Sequence, residues 1–181
     1  MVRGWGGTLL SRHFAHKIRF PQPEKAYVAG LLHDVGELVN CVSFPEEFRA
    51  AAELAMTDKI SLYQAEKAML GFTHCDTGHI LAEEWNLPKE VRQVILHHHD
   101  VQQATLYPVL VALVSLSDFW CHTGGLGYGS CEEPEFLAEP AWAILTQEYA
   151  YLEQVDVPRI SGEMEELAAE VRQLVTSLFR N

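Results

Sequence analysis

Apolar residues recur three or four positions apart along almost the whole chain, and no stretch of four or more residues alternates cleanly enough to argue a strand. The pattern predicts an all-α domain. Its clearest helix runs from about Gly162 to Phe179, where Met164, Leu167, Ala168, Val171, Leu174, Val175 and Leu178 share a face. Ser161 is placed to cap this helix, with Glu163 and Glu165 in its first turn. Prolines suited to first-turn positions mark three more helices, Pro45 to about Met56, Pro88 to His99 and Pro140 to Gln154. Four others start without proline: Glu24 to Val39, Ser61 to Leu70, Thr73 to Trp85 and a long one from Leu106 to His122. A further helix is expected near Thr8 to Arg19.

Polar residues break these stripes at a few positions. At about 100° per residue, Val91, Val94 and Ile95 define a face whose next two members are His98 and His99. His74 shares a face with Gly78, Leu81, Ala82 and Trp85. The stripe Tyr27, Gly30, Leu31 leads to Asp34, with His33 beside it, and Leu110, Leu113, Val114 and Ser117 have Asp118 at their edge. A single histidine on an apolar face is most often a core residue satisfied by a hydrogen bond. Several imidazoles and carboxylates on four inward faces are costly to bury apart, and the economical arrangement is one shared cluster. Imidazoles and carboxylates at the centre of a helical bundle form the ligand set of a mono- or dinuclear transition-metal centre.

Charge and composition narrow the function. Among 181 residues, 13 Lys and Arg against 25 Asp and Glu give a net charge of -12, and neither half carries a basic stripe. Binding to nucleic acid through phosphate neutralisation is therefore not expected. The longest strongly apolar stretch, Val109 to Leu116, falls well short of a membrane span, and no secretory pattern opens the chain. A cytoplasmic protein follows as the expectation. Cys41, Cys75, Cys121 and Cys131 lack a metal-binding spacing and read as reduced packing residues. Cys75 adjoins His74 but points about 100° away, so the two are not expected to share an ion. Trp5, Trp85, Trp120 and Trp142 read as core or interface packing residues. Glu66 fits equally a solvated face and a group that orients a histidine.

The segment Ala29-Gly30-Leu31-Leu32-His33-Asp34-Val35-Gly36 resembles the signature of the HD superfamily of metal-dependent phosphohydrolases. Glu66, Gly71-Phe72-Thr73-His74, Gly78, Leu81-Ala82, Trp85, Leu87-Pro88 and His98-His99 together resemble its HDOD branch, the output domains of bacterial signalling proteins. Asp118 matches the last carboxylate of the HD motif, and Gly125-Leu126-Gly127-Tyr128-Gly129 is similar to the loop that follows it in HDOD proteins. The likeness spans about residues 5–130. It implies an HD-like multi-helix bundle with a central His/Asp cluster, in a single domain over 1–181 that helices from about 140 to 179 complete.

The same resemblance implies the metal ligands His33, Asp34, His74, His98, His99 and Asp118. One ion would sit on His33, Asp34 and Asp118 and a second on Asp34, His74, His98 and His99, each of Fe, Mn, Ni or Zn, or the site would hold none. Two features depart from the catalytic pattern. The HD motif opens with a histidine, which HDOD proteins place just after a tryptophan, whereas Gly6, Gly7 and Thr8 follow Trp5 here. His13 or His16 would substitute only if the first helix were shifted by more than a turn. The Gly-Tyr-Pro segment of relatives that hydrolyse cyclic di-GMP is replaced by Asp100-Val101-Gln102-Gln103-Ala104. A regulatory module with a degenerate HD site is therefore expected, acting through a signalling protein partner or a ligand. The alternative is a metal-dependent phosphohydrolase acting on a nucleotide or cyclic dinucleotide. HDOD domains also carry an N-terminal helical half, so this chain is expected to be a short form or a fragment, with an apolar surface that favours a homo-oligomer.

Overall fold

A computed structural model describes residues 2–126 and 139–178, and among them every regular element is helical. The order is α1 (Val2–Lys17), α2 (Pro23–Leu32), α3 (Val35–Ser43), α4 (Pro45–Asp58), α5 (Leu62–Met69), α6 (His74–Glu84), α7 (Lys89–His97), α8 (Pro108–Thr123), α9 (Pro140–Glu148) and α10 (Val157–Leu178). Short 3-10 turns lie at Val101–Gln103 and Ala150–Gln154. Proline opens α2, α4, α8 and α9, where its missing N–H has no intrahelical partner to lose. Ser61 and Gln64 cap α5 reciprocally, Ser61 Oγ accepting from the Gln64 amide at 3.2 Å and Gln64 Oε1 from the Ser61 amide at 3.1 Å. Asn86, at φ 51°, supplies the left-handed residue that ends α6 and starts the turn to Pro88.

The main core gathers Leu10 and Phe14 of α1 and Ile18 just beyond it with the apolar face of α8, Leu145 of α9 and Met164 and Ala168 of α10. Trp120 is fully buried there. Its ring meets Phe14 edge-on at 4.9 Å, and its Nε1–H donates to Ser161 Oγ at 3.1 Å. Phe48, Ala51, Ala55, Leu62 and Ala65 close a smaller core between α4 and α5, and Ala82, Val91 and Ile95 a third between α6 and α7. The His/Asp cluster lies where the main core and the α6–α7 pair meet.

Four expectations need correction. The predicted helix from Glu24 to Val39 is two helices, interrupted at His33 and Asp34, where Asp34 adopts φ -97° and ψ 17°. Gly36 explains the break: it lies against the first turn of α6, and a methyl group there would overlap the His74 carbonyl oxygen. Secondly, the buried stripe of α2 is Ala26, Ala29, Gly30 and His33; Tyr27 is only partly buried and Leu31 is exposed. Thirdly, Ser161 lies inside α10, which starts at Val157, and Asp156 Oδ1 accepts the Arg159 amide at 3.2 Å in the capping place expected of Ser161. Fourthly, the helix from Pro140 ends at Glu148, and the first helix begins at Val2 rather than near Thr8. Trp142 packs in the core as expected, whereas Trp85 is exposed. The Gly127–Gly129 part of the glycine-rich loop, Cys131, Phe179 and the side chain of Trp5 lie outside the described residues.

Candidate metal centre

The six expected site residues reach the cluster from four local devices. The α2–α3 break delivers His33 and Asp34 together, the first turn of α6 carries His74, the end of α7 carries His98 and His99, and the middle of α8 carries Asp118. His33 and His74 are 0% exposed, His98 1%, Asp118 4% and Asp34 7%. His99 is half-buried. The six form two donor groups that share Asp34: Asp34, His74, His98 and His99, and His33, Asp34 and Asp118. Within each, one donor atom per residue lies within 4.8 Å of the others.

Three imidazoles are held by one nitrogen so that the other faces the cluster. His33 Nδ1–H donates to the Gly30 carbonyl at 2.9 Å, and His98 Nδ1–H is shared between the Val94 and Ile95 carbonyls at 3.1 Å. His74 Nδ1–H donates to Glu66 Oε2 at 2.6 Å, and the His74 amide donates to the same oxygen at 2.8 Å. Glu66, fully buried, takes its remaining bond from Asn40 Nδ2 at 2.9 Å. Carboxylate-to-histidine support of this kind fixes the tautomer and ring plane of metal-binding imidazoles. Glu66 is therefore a positioning group and not part of a solvated face. Asn40 was not foreseen, although a polar side chain one turn beyond Gly36 on a buried face was a readable signal.

The donor spacing fits an ion. His74 Nε2 and His98 Nε2 stand 3.4 Å apart, and Asp34 Oδ1 lies 3.6 Å from the first and 3.4 Å from the second. Bonds of about 2.0–2.1 Å place tetrahedral donors about 3.3–3.4 Å apart, so these three atoms form one face of such a shell without rearrangement. His99 Nε2 is buried without a hydrogen-bond partner, as a nitrogen reserved for a metal would be. In the second group His33 Nε2 lies 3.2 Å from Asp34 Oδ2 and 3.5 Å from Asp118 Oδ1.

The electrostatics favour cations in this cluster. Burial is the strongest influence on His33 and opposes its charge, yet Asp34 and Asp118 together raise it to about 10. Burial likewise opposes charge on His98, where Cys75 and Asp34 prevail and raise it to about 9. His74 is raised well above its ordinary value, with Cys75, Glu66 and Asp34 overriding burial. Burial, then His98 and His74, drive His99 well below, leaving it neutral. Cys75 Sγ approaches His98 at Nδ1, 3.8 Å away, on the side of the ring turned from Asp34. It therefore stands behind the donors, as expected of a residue that does not share the ion. Two further neighbours were not foreseen: the Tyr63 ring packs on His99 with centroids 5.0 Å apart, and His122 Nε2 lies 3.7 Å from Asp118 Oδ2.

The sequence matches the HDOD domain family over residues 5–101, more than half of the chain. The chain belongs to the HDOD family. An uncharacterized protein of Treponema pallidum (strain Nichols) is 31% identical over 94 residues, 51% of this chain and 18% of that protein. The crystal structure of an HDOD domain protein from Geobacter sulfurreducens is similar with a TM-score of 0.73 and 26% identity, covering 94% of this chain and 61% of that one. A candidate signal transduction protein from Marinobacter aquaeolei VT8 gives a TM-score of 0.77 at 21% identity over 97% of this chain and 37% of that one. A candidate phosphohydrolase from Shewanella amazonensis SB2B gives 0.57 at 18% over 92% and 52%. The last two are likenesses of fold alone. This HDOD chain thus spans less than two thirds of each of these relatives. Among its described residues, no helix is long and apolar enough to cross a membrane.

Proposed function

We propose that this HDOD chain is a regulatory module of bacterial signal transduction in the cytoplasm, acting by contact with a protein partner, and that its His/Asp cluster holds a ligand without turning over a substrate. The observation that carries this reading is closure of the cluster. Its three inner imidazoles are at most 1% exposed, and two of the basic side chains near in sequence are engaged elsewhere, Lys25 with Glu90 at 2.9 Å and Arg92 with Glu83 at 3.6 Å. A phosphoryl-transfer site needs entry for its substrate and cations for its charge. Contact with a partner is supported by the outer faces of α2 and α3, where Val28, Leu31, Leu38 and Val42 are 42, 44, 50 and 80% exposed.

Metal-dependent phosphohydrolysis of a nucleotide or cyclic dinucleotide remains the second reading, because Asp34 belongs to both donor groups. A bound metal there would supply Lewis acidity and an activated water. The chain's part would be to hold Asp34 between the groups and fix the imidazoles through Glu66 and the backbone carbonyls. Incubation with cyclic di-GMP and nucleoside phosphates in Mn2+ or Zn2+, followed by chromatography, tests the choice. No product is expected. Turnover that disappears in Asp34→Ala would overturn the regulatory reading in favour of the second.

A further inference from the structure

The two donor groups are not equivalent. In the Asp34, His74, His98 and His99 group, four residues from three elements supply donors, and His74 and His98 are locked from behind by Glu66 and by backbone carbonyls. In the His33, Asp34 and Asp118 group there are three; among the described residues His122 Nε2 comes to 3.7 Å from Asp118 Oδ2 but does not fall within the mutual donor spacing of the group.

The side of His33 that faces α1 is closed by backbone. A methyl group at Gly7 of α1 would lie 2.8 Å from His33 Cε1 and 3.2 Å from the Gly30 carbonyl oxygen. One at Gly30 would lie 2.7 Å from the Gly7 carbonyl oxygen. The two helices therefore touch main chain to main chain beside the His33 ring, and a side chain at Gly7 or Gly30 does not fit at that contact. His33 itself spans the carboxylates, at 3.2 Å from Asp34 and 3.5 Å from Asp118. Resting on the reading of the cluster as a ligand-holding centre, we infer that the chain binds a single divalent transition-metal ion on Asp34, His74, His98 and His99, and that the His33–Asp118 side takes none. Asp34 is then an ordinary ligand through Oδ1, with Oδ2 turned to His33, and does not bridge two ions. Nitrogen-rich donors and near-tetrahedral spacing favour Zn2+ or Co2+ over Mg2+ or Ca2+.

The test is stoichiometry. The chain is stripped with EDTA, titrated with Co2+ under visible absorption, and separately loaded with Zn2+, desalted and submitted to elemental analysis. One ion per chain is expected, with the intense visible bands of tetrahedral Co2+. Asp118→Asn should retain that ion, whereas His74→Ala and His98→Ala, shown by circular dichroism to be folded, should weaken binding at least 100-fold. Two ions per chain, none, or an ion lost in Asp118→Asn but kept in folded His74→Ala would overturn the inference. The count on the unmutated chain decides one against two even if a variant fails to fold. Nucleotide turnover with one ion bound would overturn the regulatory reading and leave this inference standing; two ions without turnover would do the reverse.

Discussion

Glu66 accepts three hydrogen bonds where water cannot replace them, from Asn40, the His74 amide and the His74 ring. Glu66→Gln keeps the volume but cannot accept from both His74 donors at one oxygen with the same strength, and its amide nitrogen, itself a donor, cannot accept from Asn40 Nδ2. Metal affinity should therefore fall by about 10–100-fold, read by Co2+ titration, with the helical signal preserved. Glu66→Ala should cost about 3–5 kcal/mol in denaturant melts, the range for stripping one partner from a buried charged pair. The histidines also set a pH window for the metal-free chain. His33 and His98 have raised values, about 10 and about 9, so their contribution to stability is complete below the ordinary 6.5 and is lost as pH rises through 9–10. His99 has a lowered value, so its contribution is present above 6.5 and is lost as pH falls below it, where the unfolded chain takes up the proton. The melting temperature in EDTA should accordingly peak between about pH 6.5 and 9; a steady rise to pH 11 would contradict the raised values. These residues were legible because a polar side chain on an apolar stripe has few places to go. Gly7 was legible only as a missing histidine, since its contact with His33 depends on how α1 crosses α2.

At the scale of the helix, the break between α2 and α3 is what periodicity could not show. Both sides are helical, apolar spacing continues across His33 and Asp34, and no proline marks the interruption. What breaks the helix is tertiary: Gly36 must meet α6 backbone to backbone, which also turns Asp34 toward His74 and His98. The buried face of α2 was misjudged for a related reason, because Ala26 and Ala29 face the core while the larger Leu31 faces outward. Close helix approach selects small residues over large ones. A pair of substitutions separates propensity from packing. Gly36→Ala should destabilise by about 1–3 kcal/mol through overpacking and weaken Co2+ binding with it. Gly162→Ala, on α10 with nothing within 4 Å of the new methyl group, should stabilise by about 0.5–1 kcal/mol. Paired urea melts of the two variants check both signs.

For the whole molecule, the ligands of the inferred ion come from the α2–α3 junction, α6 and α7, where Val94 of α7 joins the main core and Leu32 and Val35 of the junction pack on Ala82, Val91 and Ile95. An ion there reinforces a junction that apolar contact already makes. Because the unfolded chain cannot present the four donors together, binding adds directly to folding stability. At free metal about 100 times the dissociation constant the gain is about 2.7 kcal/mol. For a chain of this size each kcal/mol moves the midpoint by about 2–4 °C, so Zn2+ should raise the melting temperature by about 5–10 °C over EDTA. His98→Ala should abolish that shift while keeping the helical signal, and Asp118→Asn should preserve it. The three melts separate a centre that links the two parts of the fold from surface binding of metal by the other histidines, which would raise none of the midpoints or all of them alike.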